Sequence, residues 1–190
     1  METNERKVFG PYIPSILNNK ISLSIKEVGK NLKQNLKKKI QNSIEGKCIP
    51  EGYIRPGSVK ILTYSSGNVN NEMIDYQVTF ECETCYPPEG HLLECIAKTI
   101  TKAGIHGEVK DEDGNVPINV FIARDHHVSD NYFGNVKEGD KFLASVIGIR
   151  FELNDPYISA IANLKKEYDN RKEKKDTVST LAFFLNHKSS

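Results

Sequence analysis

Cys82, Cys85, His91 and Cys95 fall within CETCYPPEGHLLEC at the spacing C-x2-C-x5-H-x3-C. Thiolate and imidazole are the ligands that tetrahedral zinc takes. A zinc knuckle uses the same four ligands over the same span, with the histidine one place earlier. Strand phase points the other way. Cys82 closes DYQVTFEC in step with Tyr76, Val78 and Phe80, and Cys95 lies inside HLLECIA, so the ligands would straddle two extended strands. The preferred reading is therefore free cysteine acting as a small apolar core residue, with Cys48 the fourth thiol. A redox pair at Cys82 and Cys85 would need a helix N-terminus to stabilise a thiolate, which Pro87 and Pro88 forbid.

RDHH, residues 124 to 127, is the next candidate for chemistry. Asp125, His126 and His127 are consecutive, and consecutive side chains diverge, so they do not converge on one centre. A metal-dependent hydrolase built on Asp125 and His127 is thus a minor reading. No Gly-rich phosphate loop, nucleophile motif or second carboxylate cluster accompanies them. Asp111, Glu112 and Asp113 before Gly114 read as a hairpin turn, because a calcium loop needs spaced oxygens and a terminal glutamate. No catalytic residue, metal or cofactor is expected.

The elements that would position these residues follow from period. Residues 1–20 form an expected arm, with Phe9, Tyr12, Ile13 and Ile16 as its anchors. ISLSI alternates and predicts a strand from Ile21. Over 28–45, Leu32, Leu36, Ile40 and Ile44 recur four apart, predicting an amphipathic helix with Lys30, Lys33, Lys37, Lys38 and Lys39 on its outer side and Gly46 as its C-cap. Lysine runs on helices are usually solvated faces, which is the reading preferred here. KCIPEGYIRPG is a looped tip, VKILTY a strand, SSGNVNNE a turn and DYQVTFEC a strand. After YPPEG come HLLECIAKTI, IHGEV, PINVFIA, KFLASVIGIRFE and YISAIANL, five short strands with one long loop after the third. That order suits a small closed barrel of the OB type. The fold class expected is α+β: an N-terminal antiparallel sheet with one amphipathic helix, then a five-stranded OB barrel. The boundaries expected are an arm at 1–20, a tip domain at 21–86, the barrel at 87–168, and a charged linker with the apolar segment TVSTLAFFL in 169–190.

The chain of 190 residues carries 26 Lys and Arg against 25 Asp and Glu, a net charge of +1. A free-standing nucleic-acid binder usually carries a basic surplus, since phosphate neutralisation supplies most non-specific affinity. Charge is uneven: residues 1–89 hold +2, residues 90–164 hold −4 and the rest +3. No secretory leader pattern opens the chain and no apolar run approaches the ~20 residues of a membrane span. An intracellular protein with reduced thiols is expected. The exposed rim of the barrel offers Lys98, Lys102, Phe121, Arg124, His126, His127, Lys141 and Arg150 as candidates for contacting single-stranded RNA. OB barrels bind such strands by aromatic stacking within a basic groove.

Taken in order, LKQNLKKKIQNSIEGKC, GYI, YQVTFEC, PPEG, ECIAKTITKAGIHGEV, NVFIARDHH, KEGDKFLASVIGIRF and PYISAIANLKKEY resemble the stalk subunit of multi-subunit RNA polymerases. That family comprises the seventh subunit of polymerase II, its counterparts in polymerases I and III, and the corresponding archaeal stalk protein. The similarity spans residues 20–168. It implies a ribonucleoprotein-like tip domain that wedges into the polymerase core near the clamp, through Gly46, Lys47, Cys48, Gly52, Tyr53 and Ile54. It implies an S-one-type OB barrel facing the nascent RNA near the exit channel, in initiation and transcript guidance. It also implies a small helical partner within the stalk, largest-subunit partners in the core, and no catalysis by this chain itself. The long arm, the short SSGNVNNE segment and the extended tail look like the polymerase of a large cytoplasmic DNA virus. A viral subunit would work in host cytoplasm and enter the virion; a cellular one would work in the nucleus. The alternative reading is a free OB-fold RNA-binding protein with a zinc knuckle at Cys82–Cys95.

Overall fold

A computed structural model describes residues 10–127 and 132–165. Residues 1–9 of the expected arm, and the linker and apolar segment beyond 165, lie outside the described residues. Within them the chain forms two sheets joined by residues 86–91.

The first sheet is built around one long strand. β6 (Met73–Cys85) pairs antiparallel with β1 (Ile13–Ser24) along twelve residues. On its other side it pairs with β3 (Gly52–Ile54), β4 (Lys60–Tyr64) and β5 (Asn68–Asn70), and β2 (Cys48–Ile49) adds to β3. Three expectations change. β1 starts at Ile13 and not at Ile21, because the edge of a sheet tolerates Pro14 and the polar stretch Asn18–Lys20. SSGNVNNE is more than a turn: Asn68–Asn70 pair with Met73–Asp75, and Asn71 takes a positive φ of 55°. KCIPEGYIRPG likewise folds into the β2–β3 hairpin.

Helix α1 (Leu32–Ile44) covers one face of this sheet. Leu36, Ile40 and Ile44 are buried against Ile21, Leu23, Val59, Tyr76, Val78, Phe80 and Cys82, as the four-residue spacing requires. Glu45 ends the helix and then serves as a latch. Its carboxylate accepts the backbone N–H of Gly57 (2.9 Å) and of Val59 (3.1 Å), drawing the β3–β4 connection onto the helix end.

The second sheet closes into a barrel. β7 (Leu92–Ile100), β8 (Gly104–Val109), β9 (Ile118–Ala123), β10 (Lys141–Arg150) and β11 (Ile158–Lys165) neighbour one another in the order β7-β8-β9-β11-β10-β7. The β9–β11 pair is parallel and the others antiparallel. This is the OB-type closure expected from the strand count and the long third loop. Leu93, Ile105, Val109, Ile118, Val120, Ile122, Phe142, Val146, Ile158 and Leu164 fill it. Large and small groups are matched. A Cβ at Gly107 would stand 2.7 Å from the Phe142 ring, and Ala144, Ala160 and Ala162 leave room for the branched side chains opposite.

The two sheets share a seam. Cys48, Tyr53 and Cys85, from the first sheet, belong to the barrel's core and not to the helix-covered one. Main-chain bonds tie β2 to the β10–β11 loop, with Cys48 N–H donating to Asp155 O and Asn154 N–H to Cys48 O, both at 2.8 Å. Arg55 makes the polar half of the seam. Its guanidinium donates to Glu83 (2.7 Å) on β6 and to Asp113 (2.8 Å) on the β8–β9 hairpin, and lies 5.3 Å from the Tyr12 ring centre. Asp111, whose side chain is 3 % exposed, stands 3.9 Å from the Arg55 Nε and accepts the Tyr12 hydroxyl at 3.0 Å. It also accepts the backbone N–H groups of Asp113 and Asn115, which sets the hairpin turn.

Burial by itself would raise the Asp111 carboxyl, but the hydrogen bonds from Asn115, Tyr12 and Asp113 prevail and hold it below the usual range. A depressed folded-state pKa contributes stability above the unfolded value of about 4, and that contribution is lost as pH falls through the folded value. Acid should therefore lower the unfolding midpoint of the native chain more steeply below about pH 4 than that of Asp111→Asn. Parallel curves in a urea titration at several pH values would refute the assignment. Gly52 is a second test. At φ +121° its added Cβ would overlap the Cys85 carbonyl oxygen. Gly52→Ala is expected to cost about 2–4 kcal/mol in urea unfolding, from backbone strain plus overlap.

Candidate nucleic-acid interface

Alternation along β9 buries Ile118, Val120 and Ile122 in the barrel and so turns Asn119 and Phe121 outward. The same rule turns His106 and Glu108 outward on β8, and Ser159 and Ile161 outward on β11. These strands are neighbours, so the outward residues form one saddle. With Lys98 on β7, Arg150 on β10 and Tyr157 before β11, they line a groove of about 770 Å³. The His106 and Phe121 rings lie 4.7 Å apart at 44°, making an aromatic floor. Tyr157 (39 % exposed) and Ile161 (51 %) extend the apolar surface. Lys98 is ion-paired with Glu108, which Lys110 also approaches at 3.7 Å. Arg150 is open to solvent and, among the described residues, pairs with Glu152 at 3.3 Å. Asn119 Oδ1 lies buried in the groove wall and, among the described residues, has no hydrogen-bond partner.

Such a surface can stack planar rings and neutralise one or two phosphates. With Glu108 offsetting Lys98, stacking supplies more of its binding capacity than charge does.

The candidates read from sequence divide. Lys98, Phe121 and Arg150 meet in the groove. Lys102 and Arg124 meet elsewhere: Arg124 donates to the carbonyls of Lys102 (2.8 Å) and Thr101 (3.2 Å) and lies 5.0 Å from the Phe133 ring centre. It clips the β7–β8 turn to the barrel end. His127 stacks on buried Phe133 at 5.4 Å and 16°, and its Nε2 accepts the Leu164 N–H at 3.2 Å. RDHH is a 3-10 turn and not an open loop, so Arg124 and His127 are spent on closing the barrel while His126 stays exposed. Lys141 lies outside the groove, paired with Glu94 at 2.8 Å. His106, Asn119, Tyr157 and Ile161 were missed. Alternation could have found the first two, since the buried phase of β8 and β9 fixes them, but it does not say which outward face becomes concave.

The expected docking residues are also redistributed. Gly52, Tyr53, Ile54 and Cys48 are buried within this chain, where Tyr53 joins the barrel core. Of that set, only Gly46 and Lys47 are partly open to solvent, and Lys47 reaches the Asn42 carbonyl at 3.3 Å.

The cysteines do not converge on a metal. Cys82 sits in the helix-covered core, whereas Cys85 and Cys95 sit in the barrel core. All four thiols are free and buried, and among the described residues no group of three His, Cys, Asp or Glu could hold a metal ion. This removes the geometry that a knuckle at Cys82–Cys95 requires. Burial pushes Cys48 and Cys82 up to about 11, and Cys85 and Cys95 up to about 12. At neutral pH a disulfide reagent should label none of the four in the native chain and all four after denaturation. Rapid native labelling would contradict this.

An antiparallel sheet with one helix, seated on a closed five-stranded OB-type barrel that carries an outward aromatic groove, defines the class: an α+β protein of sheet and barrel. No family model matches the chain. Among curated proteins, it is 24% identical over 177 residues to a protein of Acanthamoeba polyphaga mimivirus provisionally named a DNA-directed RNA polymerase subunit, covering 84% of this chain and 88% of that one. It is 24% identical over 118 residues to DNA-directed RNA polymerase II subunit 7 of Arabidopsis thaliana, covering 61% of this chain and 63% of the plant protein. The chain thus resembles RNA polymerase subunits, as the order of its elements implies. Among the described residues no helix is long and apolar enough to cross a membrane.

Proposed function

We propose that this chain is a non-catalytic stalk subunit of a DNA-directed RNA polymerase. The observation that carries this reading is the similarity to the mimivirus polymerase subunit over 84% of the chain, which takes in both the helix-bearing sheet and the barrel. In this reading the first sheet, as the tip domain of residues 21–86, docks on the largest subunits near the clamp. The barrel, within 87–168, stands near the RNA exit channel during initiation and transcript guidance. The β2–β3 corner supports docking by its shape: packing inside the chain makes it rigid, and Gly46, Lys47, Pro50 and Glu51 form its outer rim. A small helical stalk partner completes the assembly. The mimivirus similarity supports a viral setting, in host cytoplasm and the virion.

The barrel contribution is weak RNA binding in the groove, with Phe121 and His106 as the stacking floor and Lys98 and Arg150 as flanking cations. A stacked base is worth ~1–3 kcal/mol, or roughly 5- to 150-fold in affinity. Phe121→Ala should weaken binding of a single-stranded RNA within that range. Phe121→Leu, which keeps apolar volume without a ring face, should weaken it nearly as much. Affinity purification of the tagged chain should recover the two largest polymerase subunits. Their absence from a complex containing the intact chain would overturn the assignment, and unchanged RNA affinity in both variants would overturn the groove.

A further inference from the structure

Helix α1 and the turn before it carry an excess of positive charge that the fold does not use. Residues 26–44 hold six lysines, Lys26, Lys30, Lys33, Lys37, Lys38 and Lys39, and one acid, Glu27, for a local charge of +5 on a chain of net +1. Five of the six are exposed, and Lys37 is half-buried. Among the described residues none of the six makes an ion pair, whereas Lys20, Arg55, Lys98, Lys110, Lys141 and Arg150 all do. Glu27 offsets only one of the six charges, and its carboxylate is held in the cap of the preceding turn, where it accepts the Ser24 N–H at 2.9 Å. Lys39 lies in its field without pairing. The other exposed positions of the helix are Gln34, Asn42 and Ser43, while Asn35 and Gln41 are half-buried and donate to the Glu27 carbonyl (2.8 Å) and the Glu45 carboxylate (3.2 Å).

We infer that this face of α1 binds the phosphodiester backbone of a nucleic acid. Protein interfaces are depleted in lysine at their centres and anchored by aromatic or apolar groups. The outer side of α1 has no such anchor, since Leu36, Ile40 and Ile44 all point into the sheet. Dispersed, unpaired lysines with Gln34 and Asn42 as exposed amide donors match an array of phosphates, which needs charge and hydrogen-bond donors but no pocket. The lysines of the helix itself, Lys33 to Lys39, span about 9 Å along its axis, enough to meet two or three phosphates. The surface is separate from the barrel groove and does not depend on the polymerase reading: one side binds by charge, the other by stacking.

The two modes differ in salt dependence. Each phosphate contact contributes about 0.9 to the slope of log affinity against log salt for a duplex and about 0.7 for a single strand. Fluorescence anisotropy of the full chain would be measured against a duplex DNA and a single-stranded RNA, each about 20 nucleotides long, across roughly 50–200 mM salt. The combined variant Lys33→Gln, Lys37→Gln, Lys38→Gln and Lys39→Gln changes three exposed side chains and the half-buried Lys37, none of which belongs to the core. It should reduce the slope by about 2 or more on at least one probe, and which probe responds identifies duplex or strand. Phe121→Ala should lower affinity for the RNA and leave the slope unchanged. A slope that shifts by less than about 1 in the lysine variant would overturn the inference while leaving the groove intact. So would a native chain that binds neither probe yet binds polyglutamate, which would assign the face to an acidic protein.

Discussion

The Arg55 guanidinium is the point on which the arrangement of this molecule turns. It joins Glu83 on the central strand of one sheet to Asp113 on a hairpin of the other, with Asp111 and Tyr12 packed beside it. The planar fork of arginine can serve two carboxylates at once, which a lysine ammonium does with less geometric definition. Asp111 is nearly inaccessible to water, and a carboxylate in that position must be satisfied by donors. It is, by Tyr12, Asn115 and two backbone N–H groups. The network favours this placement of sheet on barrel, because Tyr12 and Arg55 bring their donors across the seam to a carboxylate that the seam covers.

Apolar packing reinforces the same placement. Tyr53 stands between Cys48 and Cys85 in the strand register, and all three contribute to the barrel's core. The β2–β3 corner is thus part of the floor of the barrel as well as the end of the first sheet. YPPEG, which links the two parts, is not what sets their angle unaided. Tyr86 packs edge-on against Phe151 at 6.0 Å, and Gly90 N–H bonds to Val146 O at 2.8 Å, so the link is held by the barrel it enters. Flexible residues in that link would be resisted by the seam, which makes the seam the larger determinant of geometry.

Charge is partitioned on this frame. The barrel is acidic, and Arg55, Lys98 and Lys141 of the seam and barrel are paired with carboxylates, while among the described residues the lysines on the outer side of α1 make no ion pair. The near-zero total hides the division. A net charge of +1 argues against a uniformly basic binding protein, yet it is compatible with one compact basic face. Lys98 shows the opposite case. In sequence it is a free cation on a barrel rim; in the structure Glu108 on the adjacent strand neutralises it.

Period fixed much of this from the sequence alone. The four-residue spacing of Leu32, Leu36, Ile40 and Ile44 placed the helix and its buried side, and the alternation through Tyr76, Val78, Phe80 and Cys82 placed the central strand and its thiol. Five short strands with one long loop were enough for a closed barrel, since so few strands cover their edges only by joining ends. Local pattern was blind to long-range pairing. Ile13–Lys20 has too weak an alternation to announce a strand and becomes one because β6 offers it a hydrogen-bonding edge. Arg55, Asp111 and Tyr12 lie far apart in the chain and carry no local signature, and the concavity beside Phe121 exists only where the strands of the barrel curve together. Side-chain periodicity is a property of neighbours along the chain, whereas ion pairing, seam geometry and groove shape are properties of neighbours in space, which only the closed tertiary structure brings together.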